Sequence, residues 1–171
     1  MLVLISYVLT AIASVIHLAV SKVPRTPRRV VEVLLLYQLV FIVGMGGTLA
    51  FMGHGFSSDA IAKSIGWPPG SPFQLEVGTA DGAFGLLGWL CIFRRGGFWS
   101  ATALGFSFFL IGDGIIHVAY LVQNSDFAPD NVGMIVPDIA MAVLLLGSVA
   151  ALYLLSRREA GAGAPTTAAA E

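Results

Sequence analysis

Apolar stretches of about 20 residues alternate along this chain with short polar turns, close to the length at which a helix rising 1.5 Å per residue crosses the hydrocarbon core of a bilayer. They run approximately Leu2 to Ser21, Val31 to Met52, Val77 to Phe93, Ala101 to Val122 and Gly133 to Leu155. In lipid, each backbone polar group must find its partner inside the segment that carries it, so such stretches become helices. The expectation is an all-α fold, a polytopic membrane helical bundle with five transmembrane helices. Composition points the same way: 57% hydrophobic residues, 11% charged residues and a mean hydropathy of +0.86 leave too little polar surface for a soluble domain of 171 residues.

The basic residues add a direction. Of nine Lys and Arg, only Lys63 lies outside the clusters Lys22/Arg25/Arg28/Arg29, Arg94/Arg95 and Arg157/Arg158. With five spans these clusters fall on one side, the cytoplasmic side by the positive-inside rule, which gives an N-out, C-in topology. The opposite loops hold Lys63, Asp126 and Asp130. A net charge of -1 excludes a nucleic-acid partner, since nothing beyond the flanking clusters could neutralise a run of phosphates. The single Cys91 excludes an internal disulfide and a thiolate metal cluster, and its apolar setting suits a small buried side chain.

The first span lacks a basic region before it and stays apolar past the small residues Ala11-Ile12-Ala13, so it reads as a retained helix and not as a cleaved signal. Residues 1–158 are expected to form the bundle, and 159–171, rich in Ala, Gly, Thr and Pro, a disordered cytoplasmic tail. In the loop from Gly53 to Leu75, the run from Ser58 to Ile65 has helical spacing and predicts a short interfacial helix. Trp67 and the following Pro68-Pro69-Gly70 suit a headgroup-level anchor and a rigid turn back into the membrane.

Chemistry is sought among ionisable groups inside the spans, because each costs several kcal/mol there unless it is paired, neutralised or hydrated. Asp113 and His117 are four apart on the fourth span, hence on one face, with Tyr120 on the same stripe. Asp81 shares a face of the third span with Gly78, Gly85 and Gly88, where another helix can approach closely. Glu76 and His54 stand at the outer ends of the third and second spans. Asp138 follows Pro137 near the start of the fifth, where it reads equally as a helix N-terminal acid held by free backbone N–H groups. At matching depth in the outer half, four carboxylates (Asp81, Asp113, Asp138 and Glu76) and two imidazoles (His54 and His117) can furnish a site for a divalent metal such as zinc, manganese or iron, with Asp81, Asp113, His117 and Glu76 as the candidate ligand set. Asp113 and His117 are the candidate catalytic pair. Haem held by His54 and His117 is the weaker cofactor reading.

The first span carries Ser6, Thr10, Ser14, His17 and Ser21 on one stripe, which should face protein or water; it suits interhelical hydrogen bonds or a hydroxyl-lined proton path. Gly44-Met45-Gly46-Gly47 and the glycines of the third span permit tight helix crossings, within the chain or with a homo-oligomeric or complex partner.

The run Ile65-Gly66-Trp67-Pro68-Pro69-Gly70-Ser71-Pro72-Phe73-Gln74-Leu75-Glu76-Val77-Gly78 resembles the signature of a family of small, uncharacterised bacterial multi-span membrane proteins. The resemblance covers the second to the fourth span. It implies a multi-pass protein of the bacterial inner membrane, draws attention to Phe73, Gln74 and Glu76, and brings no activity with it. Three functions therefore stay open: metal-dependent catalysis in the membrane, proton or cation binding in a transporter or accessory subunit, and a structural or assembly role.

Overall fold

The computed structural model describes residues 2–162, and every regular element among them is a helix. The first span is α1 (Leu2–Val20). The second is one rod in three parts: α2 (Pro27–Gln38), a π-helical stretch (Leu39–Met45) and α3 (Gly46–Phe56). Thr26 starts it, its side chain accepting from the Arg29 amide while Pro27 occupies the first turn. The short helix expected in the next loop is present as α4 (Ser58–Ser64). Then follow α5 (Phe73–Leu90), α6 (Gly97–Asn124) and α7 (Pro129–Ala162). Glu159 to Ala162, expected to be tail, continue α7, and the remainder of that tail lies outside the described residues.

Four rods are long and apolar enough to cross a membrane: Val3–Val20, Pro27–Phe56, Gly97–Asn124 and Pro129–Gly161. The segment α5, expected to be a fifth, falls short of that measure. It has 18 residues, among them Gln74, Glu76, Thr79 and Asp81, which lower its hydropathy. Its buried face, however, is Gln74, Gly78, Asp81, Gly85 and Gly88, so the polar residues that lower its hydropathy are partly turned toward protein.

The glycines of α5 meet those of the second rod. A Cβ on Gly85 would stand 2.8 Å from the Thr48 amide nitrogen, one on Gly47 would stand 2.7 Å from the Asp81 carbonyl oxygen, and one on Gly88 would collide with Gly44. Backbone thus packs on backbone, and these glycines of α5 and the second rod meet inside the chain. On the other flank, α6 runs along α7. Leu39, Ile42, Val43, Cys91, Trp99, Phe106 and Leu145 form the apolar core between these pairs. Cys91 is fully buried in it, as a small hydrophobe.

The basic clusters gather at one end. Arg28 pairs with Glu159 at 2.9 Å, and Arg95, stacked over Trp99, is within electrostatic reach of His17. The turn after α4 and the α6–α7 turn meet at the other end, where Gly66, at φ +79°, lies so close to the Asp126 carboxylate that a Cβ would overlap it. Only glycine suits that position.

Candidate metal centre

Asp113 and His117 follow one face of α6, with His117 Nε2 3.9 Å from Asp113 Oδ2. Opposite them stands α7, which begins at Pro129, earlier than the apolar edge near Gly133 suggested. Pro129 suits a first helical turn, and the early start carries Asn131 into the helix. Asn131 is fully buried. Its Nδ2 donates to the carbonyls of His117, at 3.3 Å, and Asp126, at 3.0 Å, so its Oδ1 is left to accept. His117 Nδ1 lies 2.7 Å from that oxygen and must carry the proton. In the neutral imidazole the Nε2 lone pair is then bare and turned toward Asp113.

Asp138 lies two turns after Asn131 on α7, on the same face. Early helix starts decide its role, because it is well inside the helix and cannot cap it. Pro137 beside it also lacks an N–H, which leaves the Gly133 carbonyl without its usual helical donor. Asp138 is 1% exposed, and neither carboxylate oxygen has a hydrogen-bond partner among the described residues. One ligand atom each from Asp113, His117 and Asp138 lie within 4.8 Å of one another. Zinc ligands held at about 2 Å from the ion stand roughly 3 to 4 Å apart, so modest side-chain movement closes this set.

Asp81, buried on α5, lies within electrostatic reach of Asp113 and Asp138 but outside that close group. His54, in the last turn of α3, repeats the pattern of His117: its Nδ1 is 2.7 Å from the Oε1 of buried Gln74, and it is within electrostatic reach of Asp113. Of the expected ligands, then, Asp113 and His117 come together, Asp81 borders them, and Glu76 stays on the exposed face of the first turn of α5. Among the described residues no Lys or Arg forms an ion pair with any of the three aspartates.

Asn131 is the residue that the apolar edge of the last span hides, and for Asp138 that edge leaves the helix-start reading open. A span drawn from its apolar edge puts Asn131 in a loop and Asp138 at a helix start. The available signal was Pro129, a good first-turn residue ahead of both.

Over this group folds an aromatic cover. Trp67 packs on Tyr120 with ring centroids 4.6 Å apart, on His117 at 5.9 Å and on Phe73 at 6.0 Å. It is half-buried, turned in over the bundle, and its amide donates to the Ala62 carbonyl at 2.8 Å. The Asp59 carboxylate accepts from the Gly70 amide at 2.8 Å and braces the turn. Trp67, Phe73, Gln74 and Tyr120 line a pocket of about 390 Å³, and Trp67 lies between its rim and the His117 ring that it packs on.

Neither a curated protein nor a solved structure matches the chain. Residues 1–162 match the profile of a family of unknown function (DUF6790), and with nearly its whole length inside that match the chain belongs to this family.

Proposed function

We propose that this protein is a five-helix membrane protein of the bacterial inner membrane that binds a divalent metal ion through Asp113, His117 and Asp138, with Asp81 as a further oxygen donor. The observation that carries the reading is the Asp138 carboxylate, buried and unpartnered among the described residues, beside the bare Nε2 of His117. A mixed nitrogen and carboxylate set suits zinc, manganese or iron(II). Asn131 holds His117 in the ligating tautomer, as an outer partner of a metal-bound imidazole does.

The α5 helix serves as the fifth span, since Asp81 and the glycines turn inward against α3. The co-location of the three basic clusters supports the N-out, C-in orientation, with the Trp67 pocket at the outer surface. The glycines of α5 close it against the second rod, which holds Asp81 beside the metal ligands. An ion held by Asp113, His117 and Asp138 would supply Lewis-acid activation of water. The chain's own residues prepare the site: Asn131 orients His117, Gln74 holds His54 at its border, and Trp67 covers His117.

Metal analysis of protein purified in mild detergent tests this. The expected result is a stoichiometric divalent ion that Asp138→Asn and His117→Ala lose while the folded, monodisperse state is kept. Protein that carries no such ion and takes up none of zinc, manganese or iron(II) would overturn the assignment. The purely structural alternative predicts that Asp138→Asn changes stability alone.

A further inference from the structure

The polar stripe of α1 takes no part in the metal centre, yet it is the buried side of a helix whose other faces are exposed. Ser6, Thr10 and Ser14 are buried, while Leu4, Val8, Ile12 and Val15 are not. The stripe faces α2 and the π-helical stretch after it. Thr10 Oγ1 donates to the Tyr37 carbonyl at 3.3 Å, and His17 Nδ1 is 3.1 Å from the Tyr37 hydroxyl. Arg29 donates from Nη2 to His17 Nε2 at 2.8 Å. Since Arg29 can only donate, His17 Nε2 carries no proton and accepts, and Nδ1–H points at Tyr37.

The same two helices, α1 and α2, also carry buried polar atoms outside these pairs. Ser14 Oγ, Gln38 Oε1, the Tyr7 hydroxyl and Arg29 Nε are buried atoms with no hydrogen-bond partner among the described residues. Gln38 is 3% exposed and Ser14 is 6% exposed. With the two oxygens of Asp138 they make up most of the unpaired buried polar atoms of the described chain, and the rest, Trp67 Nε1 and Asp126 Oδ2, are at the outer loops. Tyr7, toward the other end of the stripe, is within electrostatic reach of the unpartnered Asp138 carboxylate on α7. A dry interface of this kind is selected against, because each unpaired group carries its full desolvation cost. Tyr7, Thr10, Ser14 and His17 are three or four residues apart, so neighbours stand about 5 to 6 Å from one another, a gap that one water bridges.

The geometry points to a hydrated conduit along the α1–α2 seam, from Tyr7 and Asp138 at one end to His17 and Arg29 at the other. It brings water to the buried carboxylates from the Lys22–Arg29 end, opposite the Trp67 pocket. The conduit goes beyond the metal reading and stands without it, since its walls contain no proposed ligand other than Asp138.

Hydroxyl-radical labelling in lipid nanodiscs tests it, because the radical forms from water and marks only side chains that water reaches. In Ser14→Cys the new thiol should be oxidised about tenfold faster than Cys91 of the same molecule, which is 0% exposed and sits in the dry core. In Ser14→Leu, Tyr7 should lose its labelling while His17, on the near side of the plug, keeps it. A thiol at 14 that reacts no faster than Cys91 overturns the conduit. So does Tyr7 labelling that Ser14→Leu leaves unchanged, and if that variant does not fold, the thiol comparison decides. Metal content is read in the same samples, so loss of the conduit and loss of the metal site are told apart.

Discussion

His117 Nδ1 and Asn131 Oδ1 are 2.7 Å apart, and this bond decides which imidazole nitrogen faces the aspartates. Asn131 spends its NH₂ on two backbone carbonyls, so its oxygen has no other arrangement to offer. Asn131→Leu should therefore weaken metal binding by about 10- to 100-fold, the range over which outer partners of ligating histidines act. Competition against a chromophoric chelator measures it. The variant should also lose about 1 to 3 kcal/mol of stability, because a buried and a part-buried carbonyl lose a donor. Unchanged affinity together with lowered stability would show that Asn131 is structural only.

Trp67 lies over His117, with ring centroids 5.9 Å apart, and should report the centre optically. Paramagnetic manganese is expected to quench the part of the emission that Trp67→Phe removes. Trp99, buried at the basic end beside Arg95, should stay bright. Equal quenching of wild type and Trp67→Phe would place bound manganese elsewhere.

Close approach of α3 and α5 sets a third expectation. Gly85→Leu drives a side chain into the Thr48 backbone and should lower stability by about 3 kcal/mol or more, or prevent folding. Leu86→Ala, next to it but on an exposed face, should cost under about 1 kcal/mol. Thermal unfolding in one detergent compares the two, and equal midpoints would contradict the packing.

Orientation is tested by reporter fusions. A reporter active only in the cytoplasm should work after Arg158 and fail in the loop between α4 and α5, because Arg28 and Glu159 hold the basic loop and the end of α7 together. The reverse pattern would invert the topology. Activity at both points would mean that α5 does not cross.

Much of the helical architecture was legible from the chain alone, because backbone satisfaction in lipid and helix rise are local requirements. The apolar stretches, the short α4 helix and the inward glycine face of α5 all rest on spacing that neighbouring residues settle among themselves. Asp113 with His117 was legible for the same reason, as a one-turn pair on a single helix. Hydropathy was a poorer guide at helix ends: α7 begins at Pro129 because its first turn is polar and packed on His117, and a polar turn is invisible to a measure of apolarity.

What tertiary structure decided is how side chains from separate helices meet. Asp138 joins Asp113 and His117, while Glu76 faces outward, through the rotation of α5, α6 and α7 about their axes. That rotation is set by glycine contacts and core packing between residues far apart in sequence, which no spacing along one helix encodes. The tautomer of His117 is decided likewise, by an amide 14 residues away whose own donors are already committed. Residue types and their periods determine that a polar group must be satisfied. Only the packed bundle determines by which partner, since a hydrogen bond of about 3 Å depends on the mutual placement of whole helices.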